Sequence, residues 1–285
     1  MEEALIVRNL EKHYSTFSLK GVSFSLNKGS ITGFVGRNGA GKTTTLKCIY
    51  NLVKRDGGEI IYNGKDILDA EKEFKENVGL VFGEAQYYQT KKLKQIASIT
   101  SMFYPNWDNN IYKHYLEFFN LDENKSIKEL SSGMKVKFAL TLALSHQAKM
   151  LLLDEPTSGL DPVSRDELLD IFEDIVSDGE HTILFSTHVI SDLEKCADSI
   201  VYIRQGEIVE SGNLKEFEEK YLYYTFNKPI SGIDQEKLVF YKERMNKIEG
   251  VGFKTNELSC DEIAEKRLAS LEEIVVAIER GSENV

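Results

Sequence analysis

At 285 residues the chain is long for one domain and ample for a packed core. Acidic residues outnumber basic ones 46 to 35, and the net charge of −11 argues against nucleic acid as a main partner, because phosphate backbones are gripped by basic surfaces. The three cysteines (Cys48, Cys196, Cys260) lack metal or disulfide spacing and read as free thiols, no apolar run approaches 18 residues, and MEEALIVRNL lacks the features of a secretion signal, which together point to a cytosolic chain without a membrane span.

Up to about residue 75 the pattern is one of short β segments around a glycine loop. Ile31 to Val35 is an apolar run, Gly36 to Thr44 spells GRNGAGKTT, and Thr44 to Tyr50 has a helical pattern. Strand, loop and helix thus follow in the order that G-x-x-x-x-G-K-[ST] requires. Gly36, Gly39 and Gly41 let backbone N–H groups converge on phosphate oxygens, and the helix N-terminus adds positive potential. Lys42 is placed to reach the β- and γ-phosphates and Thr43 to offer its hydroxyl to Mg²⁺, with Arg37, Asn38, Ala40 and Thr44 completing the cradle. Further on, EIIYNGKDI centres on Asn63-Gly64 and predicts a hairpin with a tight turn.

From about Lys91 to Ser145 the pattern turns helical and aromatic, with Phe103, Tyr104, Trp107, Tyr112, Tyr115, Phe118 and Phe119. These rings either pack a small helical subdomain or line a partly exposed groove for a partner helix. LSSGM (Leu130 to Met134) precedes Val136, Ala139, Leu140, Ala143 and Leu144, the spacing of a helix with one buried face. Ser131 and Ser132 belong at its N-cap, and a serine, Gly133 and a free helix N-terminus also make a phosphate site. Leu151 to Leu153 followed by Asp154-Glu155 reads as a buried parallel strand delivering two carboxylates at its carboxyl end, where open α/β sheets bind ligands. Asp154 suits Mg²⁺ held through water, and Glu155 suits the base that polarises the attacking water. Asp161 caps a helix starting at Pro162, and His188 closes a second apolar strand, Thr182 to Phe185, near the edge where Glu155 emerges.

DSIVYIRQGEIVESG predicts another hairpin, turning at Gln205-Gly206. From about Leu214 charged and apolar stretches alternate, ending in SLEEIVVAIERG, an amphipathic helix pattern. One phosphate loop and no internal repeat exclude tandem ATPase halves.

Taken in order, GRNGAGKTT, LSSGM, LLLDEP, SGLD and STH make the chain resemble the ATP-binding subunit of an ABC transporter over roughly Leu5 to Gly212. The resemblance implies an α/β fold: a P-loop ABC-ATPase core with an inserted helical subdomain (about 91–145) and a small C-terminal α+β extension. Residues 1–213 would form the ATP-binding domain and 214–285 an accessory region. It implies ATP and Mg²⁺ as cofactors and hydrolysis by a head-to-tail dimer, formed with itself or with a paralogous ATPase. Ser131 and Gly133 of one subunit then face the γ-phosphate held by Lys42 of the other, the Asp161 loop crosses the interface, His188 senses the γ-phosphate and Tyr14 stacks on adenine. The signature carries Ser132 and Met134 where glycine and glutamine are commoner. The glutamine that contacts Mg²⁺ and the transmembrane partner would fall on Gly83, leaving Glu84 or Gln86 as substitutes. The SLEE ending and FYPNWD (Phe103 to Asp108) are similar to segments of bacitracin-type and related exporter ATPases. The implied function is a cytoplasmic ATPase, peripheral on the inner face of the cell membrane, driving export of peptide, drug or lipid-like cargo through a separate permease. An importer ATPase or a soluble ABC-type regulator are the alternatives.

Overall fold

Ile31–Val35, Met150–Asp154 and Thr182–Thr187 form strands in which every residue is buried. Runs that are apolar on both faces belong at the centre of a parallel sheet covered by helices, and in this computed structural model they lie there. The structure describes residues 2–82, 88–227, 236–244, 247–259 and 262–281. The sheet order is Glu207–Asn213, Ser199–Arg204, Ile31–Val35, Thr182–Thr187, Met150–Asp154, Val78–Phe82. All pairings among the last five are parallel, with Val35 opposite Thr187 and Asp154 opposite Ser186. This register decides the site. It releases Gly36, Glu155 and His188 from the sheet along one edge.

A second, antiparallel sheet runs Ser18–Asn27, Glu3–His13, Gly57–Tyr62, Lys65–Asp66. Its last pair is the expected hairpin, closed by Asn63 at φ 49° and Gly64 at φ 75°. A two-residue loop with both φ positive matches the twist of its strands. Gln205 and Gly206 repeat the device at φ 49° and 81° between Ser199–Arg204 and Glu207–Asn213.

The helical segment comprises Leu93–Ser101, Asn109–Phe118 and Ser132–Ser145. Asp108 starts the second helix by accepting the N–H groups of Asn110 and Ile111, the side-chain capping expected of Asp. The aromatic cluster divides between the two readings: Tyr112 and Phe119 are buried, whereas Phe103 and Phe118 are exposed. Tyr104 stacks on the buried His146 with centroids 3.9 Å apart.

By contact density the chain divides into Met1–Ser211 and Gly212–Val285. The second unit carries an antiparallel sheet in the order Leu238–Arg244, Lys247–Phe253, Tyr221–Phe226, Ile263–Leu268 and ends in the helix Leu271–Gly281. Leu222, Tyr224 and Phe226 on alternate positions of one strand bury themselves with Ile248 and Leu258, so period-two patterning makes its core. Cys48 and Cys196 are buried and free, and desolvation pushes their thiols up to about 11 and about 12, which leaves them unreactive. Among the described residues no helix is long and apolar enough to cross a membrane.

Phe185 is fully buried against Phe172, centroids 5.7 Å apart, in the middle of the parallel sheet. Phe185→Ala is expected to cost about 3–5 kcal/mol of stability, read from the urea unfolding midpoint. A loss under about 1 kcal/mol would remove this ring from the core.

Candidate active site

The strand Ile31–Val35 hands the chain to a loop that enters the helix Lys42–Ile49 at Gly41. Gly41 has φ 119°, and a Cβ there would lie 2.9 Å from Phe17 Cζ, so conformation and space both demand glycine. At Gly36 a Cβ would meet the Ile203 carbonyl oxygen at 2.3 Å. The loop therefore follows a path that only these glycines permit.

Lys42 is 5% exposed, and a buried ammonium needs compensating partners. Its Nζ donates to the Gly36 carbonyl at 2.7 Å and pairs with Glu155 Oε1 at 3.2 Å. The other carboxylate oxygen, Oε2, meets His188 Nδ1 at 2.7 Å. One carboxylate thus spans the lysine of the phosphate loop and the histidine of the neighbouring strand. Glu155 itself sits at φ 51°, a left-handed conformation that costs a residue with a Cβ about 1–3 kcal/mol. The Glu155 N–H donates to Ser186 Oγ at 2.9 Å, which fixes this turn from the adjacent strand.

Asp154 is buried just before it. Its Oδ1 accepts from Ser186 Oγ at 2.7 Å and from Thr43 Oγ1 at 3.1 Å. The hydroxyl and carboxylate read from the sequence as metal-directed are therefore side by side. Gly39, Gly41, Lys42, Thr43, Glu155 and His188 line one cavity of about 670 Å³, a volume within the range of about 300–1,000 Å³ usual for small-molecule clefts. Asn38 and Thr44 also line it, whereas Arg37 is exposed on the loop and Ala40 is buried, its carbonyl accepting the Gly206 N–H at 2.9 Å.

Other expected residues stand apart. Ser131 is exposed and caps the helix Ser132–Ser145 by accepting the Met134 N–H at 3.2 Å, and neither it nor Gly133 lines the cavity. Asp161 is also outside the lining, capping Pro162–Val176 through the N–H groups of Val163 and Ser164, both at 3.0 Å. The Ser164 hydroxyl, foremost among its donors, holds the Asp161 carboxyl below the ordinary aspartate range. Tyr14 is 47% exposed, with the Lys12 ammonium 5.6 Å from its ring, and it is Thr16 and Phe17 that line the cavity. Gly83, Glu84 and Gln86 lie outside the described residues.

Ser186, Thr16 and Phe17 are given no role of their own in the sequence reading. Ser186 carried a signal, since it lies in STH one strand over from Asp154. The aromatic at position 17 carried none.

Residues 19–158 match the family described as ABC transporter. The chain is 32% identical over 204 residues to the ABC transporter ATP-binding protein YtrB of Bacillus subtilis (strain 168), an alignment covering 72% of this chain and 70% of that one. It is 29% identical over 250 residues to the bacitracin transport ATP-binding protein BcrA of Bacillus licheniformis, covering 86% and 80%. A solved ATP-binding subunit of an ABC transporter aligns with a TM-score of 0.68 and 26% identity, over 75% of this chain and 92% of that chain.

Lys42→Ala deletes the ammonium that lines the cavity with the glycine loop. Titration with a fluorescent ATP analogue is expected to show at least about a 30-fold loss of affinity, the order of a charge-assisted phosphate contact. Unchanged binding would place the phosphates elsewhere.

Proposed function

The chain belongs to the family of ABC transporter ATP-binding proteins and is an ATP hydrolase, and on that footing we propose that it works as a head-to-tail dimer on a separate membrane permease. The partner ATPase is a second copy or a paralogue, and the cargo exported is peptide, drug or lipid-like. The observation that carries this reading is the division of phosphate-binding groups within one chain. Lys42 and the glycine loop line the cavity, while the helix N-terminus at Ser131 and Gly133, with Ser131 exposed and Gly133 buried, lies outside its lining. A helix N-terminus preceded by a serine attracts phosphate. Supplied by a partner, it completes the site across an interface.

In this reading the γ-phosphate takes over the Lys42 ammonium that Glu155 and the Gly36 carbonyl now hold. Glu155 is then left to accept a proton from the attacking water, with His188 orienting its Oε2. Thr43 Oγ1 and Asp154 Oδ1 present two oxygens 3.1 Å apart. That suits Mg²⁺, which keeps waters and takes few protein ligands. When bound, Mg²⁺ supplies charge neutralisation for the phosphates.

Transport requires a grip on the permease. Met102 and Phe103 are 78% and 76% exposed beside a cleft lined by Lys72, Glu76, Tyr104 and Trp107. Exposed apolar anchors next to a cleft suit helix-in-groove docking. The link to transport is supported by the bacitracin transport relative, whose 250 aligned residues exceed the first unit and reach into the second.

Glu155→Gln keeps the shape of the base and removes its charge. MgATP hydrolysis is expected to fall by about 10²–10⁴, the usual contribution of a general base, and light scattering should find an ATP-dependent dimer that no longer decays. A monomer that hydrolyses normally would strip Glu155 of this role.

Replacing Met102 and Phe103 together with Ser is expected to leave the melting temperature and ATP affinity at parental values, because both side chains are exposed, while co-purification with the permease from detergent is lost. Retained co-purification would move the docking surface elsewhere.

A further inference from the structure

Asp192 takes no part in the phosphate site described above. It lies in the first turn of the helix Ile190–Cys196 and is 1% exposed. A buried carboxylate is costly unless donors surround it. Its Oδ2 accepts two hydroxyls, Thr157 Oγ1 at 2.7 Å and Thr187 Oγ1 at 3.3 Å. Its Oδ1 faces Arg165 Nε at 3.8 Å, and no described residue gives it a hydrogen bond. The donors this charge has therefore come from two chain segments brought together only by folding.

Each segment carries one member of the Glu155–His188 pair. Thr157 stands two residues beyond Glu155, in a turn closed by the Ser158 N–H on the Glu155 carbonyl at 3.1 Å. Thr187 immediately precedes His188, and its Oγ1 also accepts the Val189 N–H at 2.9 Å. Arg165 adds a third segment, the helix that Asp161 caps. A single oxygen thus holds the loop after the carboxylate and the strand end before the imidazole. Glu155 needs such a hold, since its left-handed backbone at φ 51° persists only where surrounding contacts over-determine it.

We propose that Asp192 is the positioning residue of the Glu155–His188 pair, holding the loop after Glu155 through Thr157 and the strand end before His188 through Thr187 at the separation where carboxylate and imidazole meet. The proposal rests on Glu155 acting as the base, as argued under the proposed function. A displacement of about 1 Å in a reacting group can cost about 100-fold in rate. Substrate binding draws on the glycine loop and Lys42 instead, so the hold acts on turnover and not on affinity.

The test uses the full chain. Thr157→Val removes the hydroxyl at nearly constant shape, Thr157→Ser keeps it, and Thr187→Val repeats the deletion from the histidine side. For each, kcat and KM for MgATP, binding of a fluorescent ATP analogue and the melting temperature are measured. Both valine variants should lose about tenfold or more in kcat with affinity within about twofold of the parent, a split that marks transition-state positioning. Thr157→Ser should recover most of the loss. In an Asp192→Asn background Thr157→Val should cost less than about threefold more, because the two changes break one interaction. Valine variants within about twofold of the parental kcat, a serine variant as slow as the valine one, or equal losses of kcat and affinity would each overturn the proposal. So would collapsed melts with parental turnover per folded molecule, which would make the bond one of stability alone. Glu155→Gln assayed alongside keeps the two claims apart. Parental hydrolysis there removes Glu155 as the base, whereas an inactive Glu155→Gln beside fully active valine variants removes only Asp192.

Discussion

The site turns on one buried ammonium. Lys42 is held out of water between the Gly36 carbonyl and Glu155, and a charge so placed must always have an anionic or carbonyl partner. Removing its present carboxylate is tolerable only if a phosphate arrives. In the proposed mechanism the cost of leaving it unpaired links phosphate entry to the freeing of Glu155. The same carboxylate is engaged by Lys42 at 3.2 Å, so in the mechanism proposed above Glu155 must exchange partners before it can accept a proton from water.

That exchange needs the lysine, the carboxylate and the histidine at one place, which is a matter of strand register. Val35 pairs with Thr187 and Asp154 with Ser186, so three parallel strands end within one residue of one another and their next residues leave the sheet at the same edge. A slip by one residue would reverse every side chain on that strand. Full burial of both faces forbids it, because any slip would still have to fit the packed helices above and below. The apolar interior and the chemistry at its edge are thus one constraint.

What could be read from the sequence was what is contiguous in it. The glycine loop, Asp154-Glu155 and His188 each announce themselves by neighbours along the chain, and the structure brings the loop, Glu155 and His188 to one cavity with Asp154 buried behind it on Thr43. The hairpin turns at Asn63-Gly64 and Gln205-Gly206 were legible for the same reason, each needing only two residues of positive φ. Residues placed by distant packing were not. Whether Tyr14 or Phe17 approaches the loop depends on a turn in which the Tyr14 N–H donates to the Phe17 carbonyl at 2.8 Å, and that turn sends Phe17 against Gly41. The aromatic segment likewise splits by which side of the helix Asn109–Phe118 meets a neighbour, so Tyr112 enters the core while Phe118 does not. Composition held no information about that division.

Asp192 belongs to the same illegible class, and its burial shows why polar groups accumulate behind an active edge. The strand ends must expose Glu155 and His188 to a substrate, so the apolar packing that fixes the sheet interior stops short of them. Orientation beyond that point falls to hydrogen bonds: Ser186 on the Glu155 N–H and on Asp154, and Thr157 and Thr187 on Asp192. Such bonds contribute only about 1 kcal/mol each in net stability. Their directionality is what packing lacks, since a hydroxyl aimed at one oxygen restrains angle as well as distance. A sheet edge that carries both a strained turn and the proposed base is therefore where short polar side chains replace apolar ones, and serine and threonine at 157, 186 and 187 occupy those places.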